Sequence, residues 1–322
     1  MVSIHRVDLG DDESFVELYD LYARAYSRPF DGPYLAVEKR VNLTDDAYGS
    51  KTAVMARDDA GTPVAGGTAV MTLQDNREFV FVEVFVPTEN RRRGHGTAVL
   101  EALVATGRER GRTIAFAMAA WAVGDETDAG RRFLEAHGFT LDIMDAIREL
   151  TLPADLPALE LDPAYTLETW RGPCPEEWID EYAELRRILI TEAPSGDAGL
   201  EDEHWDADRV RKDEADLVRM GREMQVSVAR SRDGRLAGHT QLAFPHDGDE
   251  VYQWDTLVRA DHRGHGLGLA LKIHTMQAAA DLLADRRRIT TENAASNTHM
   301  IAVNEKLGFR QIAWTGEFVR DI

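Results

Sequence analysis

Two stretches in the second half of the chain have the apolar spacing of amphipathic helices. Residues 176–191 place four apolar side chains on one helical face, namely Ile179, Tyr182, Ala183 and Leu185. A later stretch, which starts near residue 268, does the same with Ile273, Met276, Ala280 and Leu283. A third helix is predicted over residues 300–307, because Gly308 can end it there.

Short β-rich runs lie between and around these helices. Residues 225–230 and 236–243 flank the turn-forming sequence Arg232-Asp233-Gly234, which predicts a hairpin. Further strands are predicted over residues 165–170, 251–258 and 289–292. Strands that alternate with helices in this order predict an α/β fold with a mixed sheet flanked by helices.

The first half of the chain repeats the pattern, with strands predicted over residues 53–57, 64–72 and 78–86 and a helix over 97–110. Matched positions keep a constant separation of 172 residues, as in Gly66 and Gly238, Glu83 and Asp255, and Arg91 and Arg263. Nearer each end, EAHGF at residues 135–139 matches EKLGF at residues 305–309, now 170 residues apart. The simplest explanation is one α/β domain present twice in tandem.

Residues 150–165 separate the two copies. This segment contains three prolines, which remove backbone hydrogen-bond donors and disfavour helix in the residue before each of them. We therefore expect an N-terminal domain over residues 1–150, a linker over residues 151–164 and a C-terminal domain over residues 165–322.

Composition and charge exclude several classes of partner. The 322 residues contain 37 Lys and Arg against 57 Asp and Glu, a net charge of −20, which would repel the phosphate backbone of a nucleic acid. The single cysteine, Cys174, excludes an intramolecular disulfide and a cysteine-rich metal site. The start has no leader pattern, and no apolar run is long enough to span a membrane. We expect a cytoplasmic protein with no membrane partner.

Both copies carry a glycine-rich turn between a strand and a helix, with the pattern Arg-x-x-Gly-x-Gly. The turn contains Arg91, Gly94 and Gly96 in the first copy, and Arg263, Gly266 and Gly268 in the second. Glycines permit positive φ and expose backbone N–H groups, and a helix N-terminus attracts phosphate. A Walker A loop needs Gly-Lys-Ser/Thr and the dinucleotide fingerprint needs another spacing, so neither fits. The pattern predicts a different phosphate-binding loop.

In their strand–loop–helix context these turns resemble the pyrophosphate loop of the GNAT superfamily of acyl-CoA N-acyltransferases. The chain resembles tandem GNAT proteins of the actinobacterial type, the two-domain architecture also seen in mycothiol synthase. The resemblance is strongest over residues 253–272 and 291–309 and extends through both copies. It implies two GNAT domains and acetyl-CoA as the cosubstrate.

The resemblance also implies which residues of the second copy bind the cofactor. The backbone of the loop would hold the CoA pyrophosphate, through Arg263, Gly264, His265, Gly266, Leu267 and Gly268. The strand backbone at Leu257 and Val258 would hold the pantetheine arm, and the Val258 N–H would polarise the thioester carbonyl. Asn297 would contact the pantetheine or phosphate region.

The chain departs from the GNAT pattern at several of these positions. Asn304 stands where many GNATs have a tyrosine that protonates the departing thiolate, so it is expected to bind the cofactor but cannot act as an acid. The first copy has Leu134 at that position and Thr127 at the position of Asn297. We expect the first copy to be non-catalytic, with Arg91, Gly94 and Gly96 forming either a second cofactor site or no binding site.

Acyl transfer to an amine needs a group that removes a proton, because a primary amine has a pKa of about 10. Asp255 and Glu292 lie where strands end near the expected thioester and are the candidate catalytic bases. His239 is a third candidate, although a mid-strand histidine is more often a core residue. Cys174 lies far from the loop in sequence, so we expect direct attack by the amine without an acyl-cysteine.

Residues 191–197 and 201–205 are rich in carboxylates and include Trp205. In GNATs the segment after the first helix often closes over the acceptor, and carboxylates with an indole would suit a cationic amine. A solvated acidic loop is the alternative. His262 and His265 lie on the turn beside an expected anionic ligand, so we predict no metal site there.

These expectations combine into one functional prediction. The chain would move an acetyl group from acetyl-CoA to a primary amine of a small molecule, as a monomer or homodimer. One alternative is a non-catalytic protein that binds acyl-CoA as a sensor. The other is a module that binds a partner through its acidic face, with both loops without function.

Overall fold

Strands alternate with helices along the chain, and the predicted α/β class with a mixed sheet is confirmed. The computed structural model describes residues 2–26, 28–30, 32–45, 47–125, 127–192 and 196–322. The elements of the first half are β1 (Ser3–Arg6), α1 (Asp12–Ala25), α2 (Ala36–Thr44), β2 (Gly49–Arg57), β3 (Pro63–Thr72), β4 (Phe79–Phe85), α3 (His95–Glu109), β5 (Ile114–Ala122), α4 (Ala129–Ala136) and β6 (Thr140–Thr151).

The second half repeats this order with additional short helices. Its elements are β7 (Tyr165–Arg171), α5 (Ile179–Arg187), α6 (Leu189–Glu192), α7 (Ala207–Arg219), β8 (Arg222–Ser231), β9 (Leu236–Pro245), β10 (Glu250–Val258), α8 (Leu267–Ala278), α9 (Ala280–Leu283), β11 (Arg288–Ala294), α10 (Thr298–Lys306) and β12 (Arg310–Asp321). The predicted hairpin is confirmed, since β8 and β9 pair antiparallel with Val228 opposite His239.

The residues group into two units. The first unit contains Met1–Ile143 and Thr315–Ile322, and the second unit contains Met144–Trp314. The last strand therefore contributes most of its length to the first unit, and most of β6 belongs to the second. Residues 151–164, where we predict a linker, lie inside the second unit and contain no helix or strand after Thr151.

Helices cover both faces of the sheet in the first unit. Its strand order is β1-β2-β3-β4-β5-β12, and β4 and β5 run parallel. A Cβ added to Gly66 would meet Leu18 of α1, whereas one added to Gly67 would meet Leu103 of α3. Because neighbouring residues of a strand point to opposite faces, α1 and α3 lie on opposite sides of the sheet.

The second unit has the corresponding arrangement. Its strand order is β7-β8-β9-β10-β11-β6, and β10 and β11 run parallel. One buried cluster joins α5 and α7 to the sheet and includes Trp170, Ile179, Tyr182, Leu185, Val210 and Leu217. A second buried cluster joins α8 and α10 to the opposite face and includes Val251, Ile273, Met276, Ile289, Val303 and Phe309.

Two predicted helices are interrupted in the structure. The segment predicted as one helix over 176–191 forms a 3₁₀ turn, then α5 and α6, with a break at Ile188, although its predicted apolar face is buried. The helix after the second glycine loop breaks at Ala279, which is buried, while Ala280 is exposed. The prediction that Ala280 faces the core was wrong because the break changes the phase of the helix. No helix in the described residues has the length and apolar character that crossing a membrane requires.

Gly238 of β9 lies against the backbone of β10, which gives a test of how closely these strands must approach. A Cβ at this position would overlap the Leu257 carbonyl oxygen and lie 3.1 Å from the Val258 Cα. We expect Gly238→Ala to lower the free energy of unfolding by about 2–3 kcal/mol, because a backbone obstacle cannot rotate away. Urea denaturation measures this change.

Gly49→Ala in β2 is the matched control, since a Cβ there would make only ordinary contacts of 3.6–3.8 Å. Its effect should be within about 0.5 kcal/mol of zero. Equal destabilisation by the two substitutions would contradict a specific close approach at Gly238.

Candidate functional site

The second glycine loop connects β10 to α8 and leaves open space above its backbone. Gly264 and Gly266 have φ values of +86° and +71°, a conformation that glycine adopts without strain. Gly266 is also the N-cap of α8. A Cβ added to Gly264, Gly266 or Gly268 would meet no atom within 4 Å beyond its chain neighbours. The loop therefore exposes its backbone and leaves room for a ligand.

The backbone N–H groups of this loop point to anion binding. The first hydrogen bond of α8 runs from the Ala270 N–H to the Gly266 carbonyl oxygen. In the described part of the chain, no acceptor bonds to the backbone N–H groups of residues 264–269. Unpaired donors at a helix N-terminus, together with the helix dipole, favour a phosphate group. These residues fit the pyrophosphate of CoA.

The side chains around the loop are bonded within the protein. Arg263 donates through Nε to the Val258 carbonyl oxygen at 3.2 Å and through Nη2 to the Glu192 carboxylate at 2.5 Å. His265 Nδ1 lies 2.7 Å from a carboxylate oxygen of Asp162, and His262 Nδ1 lies 3.0 Å from the Tyr165 hydroxyl. Among the described residues, no cluster of His, Cys, Asp and Glu side chains could hold a metal ion.

Beside the loop, β10 and β11 separate. Their parallel pairing runs from Glu250–Arg288 to Gln253–Thr291, and residues 254–258 of β10 have no partner on β11. On its other edge, β10 stays paired with β9 as far as Val258. On the other edge of β11, pairing with β6 continues to Ala294. The result is a cleft between the carboxyl ends of β10 and β11.

The Val258 N–H faces this cleft. The Arg259 N–H donates to the Ala237 carbonyl oxygen on the β9 side, and the Leu257 carbonyl oxygen lies against Gly238 on the same side. Because successive peptide groups in a strand alternate in direction, the N–H and carbonyl of Val258 point away from β9. The Val258 N–H therefore faces the cleft, whereas the Leu257 carbonyl faces away from it.

Asp255 is held in an ion pair. Its Oδ2 lies 3.2 Å from Nε of Arg186, and Arg186 Nη1 also lies 3.3 Å from Asp213. Burial opposes the charge of Arg186, but Asp255, Tyr182 and Asp213 raise the pKa of the guanidinium above its ordinary value. In the first unit Glu83, which matches Asp255, also pairs with a cation, Lys39 of α2, at 2.5 Å.

Glu292 is exposed near the end of β11, one residue beyond the last pair with β10. It shares a sheet face with Thr290, which lies beside Tyr252 of β10. Tyr252 and Trp254 pack against the cluster formed with α5 and α7, so they contribute to the core on this face. The sheet therefore directs Glu292 toward the side that also carries Asp255 and Arg186.

A carboxylate that the sequence did not single out lies nearby. Asp145 of β6 is opposite Ala294 of β11, on the same face as Glu292. Burial raises the pKa of Asp145 above its ordinary value. Sequence reasoning missed it because it assigned Asp145 to the N-terminal domain over residues 1–150, and only the pairing of β6 with β11 brings it to this site.

His239 is buried beneath α5, in T-shaped contact with the Tyr182 ring at 5.4 Å. Burial, with a contribution from Arg186, lowers its pKa to about 3. Neither ring nitrogen has a hydrogen-bond partner among the described residues. His239 is therefore a neutral core residue and is poorly placed to act as a base.

The two asparagines expected to bind the cofactor have structural partners. Asn297 is the N-cap of α10, where its Oδ1 accepts a hydrogen bond from the Met300 N–H at 3.0 Å. Asn304 is fully buried between Lys272 of α8 and Asn293 of β11. A direct contact between Asn304 and a ligand would require Asn304 to break its hydrogen bonds with Lys272 and Asn293.

The acidic segment is largely neutralised by arginines. Asp202 pairs with Arg187 at 2.6 Å, and Glu203 pairs with Arg209 at 3.0 Å. The Trp205 ring stacks on the guanidinium of Arg186, 4.1 Å from ring centre to carbon. Residues 193–195 lie outside the described residues.

The first unit keeps part of this site. Arg91 donates to the Val86 carbonyl oxygen at 2.9 Å, and Gly94 has a φ of +83°. A cavity of ≈ 710 Å³ lies beside Gly94. A Cβ on Gly96, however, would meet the Phe133 ring at 3.3 Å, so this loop is more covered than the second.

The sequence matches the acetyltransferase (GNAT) family over residues 15–139 and 167–309. Among solved structures, a tandem GNAT protein from the clavulanic acid biosynthesis pathway is 23% identical, with a TM-score of 0.83, covering 100% of this chain and 98% of that one. A GCN5-related N-acetyltransferase from Sphaerobacter thermophilus is 17% identical, with a TM-score of 0.70, covering 99% and 95% of the two chains. No curated protein matches the chain in sequence.

The pH dependence of stability tests whether the buried Lys272 loses its proton near neutral pH. It is 1% exposed, and burial lowers its pKa from 10.5 to about 7. The unfolded chain therefore binds the proton more tightly, and stability should rise with pH above 7. We expect the free energy of unfolding to increase with pH, relative to Lys272→Met, with a slope that reaches about 1.4 kcal/mol per pH unit between pH 8 and 9.

Chemical denaturation across this pH range measures the difference. Leu100→Met is the control, since Leu100 occupies the position of Lys272 in the first unit. Its stability should keep the pH dependence of the wild type. Parallel pH profiles for the wild type and Lys272→Met would show that Lys272 does not titrate in this range.

Proposed function

The chain belongs to the acetyltransferase (GNAT) family and is an acyltransferase, and on that premise we propose that its second unit transfers an acetyl group from acetyl-CoA to a primary amine of a small molecule. One observation carries this proposal. The open backbone N–H groups of residues 264–269 and the cleft between β10 and β11 lie at the same end of β10. A single ligand with a pyrophosphate at one end and a thioester at the other would fit both.

Two parts of the chain would hold the cofactor. The loop from Arg263 to Gly268 would bind the pyrophosphate through its N–H groups. Residues 254–258 would hold the pantetheine arm along the open edge of β10. When bound, acetyl-CoA supplies an acetyl thioester. The Val258 N–H would donate to the thioester carbonyl oxygen and stabilise the negative charge that develops there.

The carboxylates on the sheet face that α5 covers would accept the proton of the amine. Glu292 is our candidate base, because it lies at the mouth of the cleft and is exposed. Asp145 shares its face and, with a raised pKa, is the second candidate. We propose that Asp255 instead fixes Arg186, since both units contain a cation–carboxylate pair at this place in the fold.

Direct attack by the amine fits the remaining groups. Burial, followed by the charge of Glu214, raises the pKa of Cys174 to about 12, which leaves no reactive thiolate at neutral pH. A thiol such as that of cysteine has a pKa of about 8.5, far below that of an alcohol, so a thiolate is a good leaving group and needs no acid at the position of Asn304. A protein that binds acyl-CoA without turnover is the alternative that Asn304 favours.

Calorimetric titration of acetyl-CoA tests the cofactor site. We expect Gly266→Glu to weaken binding about 10- to 100-fold more than Gly266→Gln, because a carboxylate would repel the pyrophosphate. The two variants share the same backbone strain at φ +71° and differ only in charge.

Gly94→Glu makes the same change in the first unit and should leave this site intact. Loss of binding in Gly94→Glu alone would move the cofactor to the first loop. If the wild type binds neither CoA nor acetyl-CoA, the proposed function is wrong.

Release of CoA in the presence of a panel of primary amines tests the assignment of the base. We expect Glu292→Gln to lower kcat at least about 100-fold, with acetyl-CoA affinity unchanged. Asp255→Asn should mainly lower stability, because it removes one of the two carboxylates that compensate the buried charge of Arg186.

If the loss of kcat occurs only in Asp145→Asn, the base is Asp145. If acetyl-CoA binds and none of the amines is acetylated, the chain is better described as an acyl-CoA sensor.

A further inference from the structure

A buried lysine lies on the face of α8 that packs against α10. Lys272 is 1% exposed, and its Nζ donates to Asn304 Oδ1 at 2.8 Å. Asn304, also fully buried, donates through Nδ2 to Asn293 Oδ1 at 3.0 Å. The Phe309 ring lies 5.6 Å from the lysine nitrogen. These contacts form a chain of hydrogen bonds from the interior to the end of β11.

No carboxylate compensates the charge of Lys272 among the described residues, and burial is the only cause of its lowered pKa.

The charged groups on the neighbouring elements have other partners or lie at the surface. On α10, Glu305 lies 3.6 Å from Arg148 and Lys306 is exposed. On β11, Arg288 pairs with Glu149 and Glu250. On β9 and β10, His239 and Asp255 face Tyr182 and Arg186 on the opposite side of the sheet. On α8 itself, His274 is half-buried, and burial lowers its pKa.

The first unit shows that the fold does not need this group. At the matching positions it has Leu100 and Leu134, which are 0% and 5% exposed. An apolar pair therefore fills the same space in the same fold. Burying a cation without a counter-charge is costly, so its presence in the second unit alone points to a role in the site.

The hydrogen bonds fix the orientation of both asparagines. An ammonium group can only donate, so the amide oxygen of Asn304 must face Lys272 and its NH2 must face Asn293. This in turn points the Asn293 oxygen inward and leaves its NH2 at the strand end, where it donates to the Ala294 carbonyl oxygen at 3.1 Å. Asn293 lies two residues beyond Thr291, the last residue of β11 paired with β10, and so stands at the cleft.

We propose that Lys272 is a positioning residue of the acyl-transfer site, which through Asn304 holds the Asn293 amide toward the cleft and places a positive charge beneath it. The inference rests on the proposed function of the second unit. An anionic ligand in the cleft favours the charged form of Lys272. Binding of acetyl-CoA near neutral pH should therefore take up a proton.

The experiment is calorimetric titration of acetyl-CoA and of CoA at pH 7.5, in buffers with different ionisation enthalpies. We expect the wild type to take up roughly 0.3–0.5 proton per bound ligand, and Lys272→Met to lose this uptake. Leu100→Met, the same change at the apolar position of the first unit, should keep it.

Turnover with an amine from the panel that the wild type acetylates separates a positioning role of Lys272 from simple structural support. Lys272→Met should lower kcat about 10- to 100-fold while changing the KM for acetyl-CoA much less. Lys272→Arg should lose the proton uptake, because an arginine does not titrate, yet recover part of kcat by donating to Asn304. The double variant Lys272→Leu/Asn304→Leu copies the first unit, so it should fold, and it should be no slower than Lys272→Met.

Two results would overturn this inference in different ways. Normal binding by Lys272→Met, with unchanged proton uptake and kcat, would contradict the role of Lys272 and leave the proposed function intact. Failure of the wild type to bind either ligand would overturn the proposed function and this inference together.

Discussion

The end of the parallel pairing between β10 and β11 is the constraint on which the site depends. Beyond Gln253 and Thr291 the strands no longer share hydrogen bonds, so β10 has one edge paired with β9 and one edge open. Open backbone groups in a sheet need other partners. Val258 illustrates this, since Arg263 binds its carbonyl oxygen while its N–H faces the cleft. The glycine loop follows at once, which makes one continuous run of backbone available to a long anionic ligand.

The internal repeat separates what the fold requires from what the site requires. Both units have the left-handed glycine before the helix, the arginine that binds the end of the preceding strand, and a cation–carboxylate pair under the helices. These shared features belong to the framework. The open Gly268 and the buried Lys272 and Asn304 distinguish the second unit. In the first unit the Phe133 ring lies against Gly96, and Leu100 and Leu134 stand at the positions of Lys272 and Asn304.

Electrostatics in the second unit are arranged mainly by arginines. The chain carries a net charge of −20, yet within the acidic segment Asp202 is paired with Arg187 and Glu203 with Arg209. Arg186 connects Asp255, Asp213 and the ring of Trp205. The excess of acidic residues therefore builds a local network around α5 and α7, which holds the segment after α5 in place. Glu292 and Asp145 lie on the same face of the sheet, on β11 and β6.

The sequence by itself determined the fold class, the tandem repeat, the two glycine loops and the family, because these depend on local spacing and on short motifs. Periodic apolar residues predicted the helix after the second loop, and the turn-forming sequence between two β-rich runs predicted the hairpin of β8 and β9. Only the tertiary structure decided which polar groups meet. The pairing of β6 with β11 brings Asp145 to the site. The packing of α8 on α10 buries Lys272 against Asn304, and Arg186 forms an ion pair with Asp255. Contacts of this kind join residues far apart in sequence, and their energies depend on burial, which no local pattern of residues encodes.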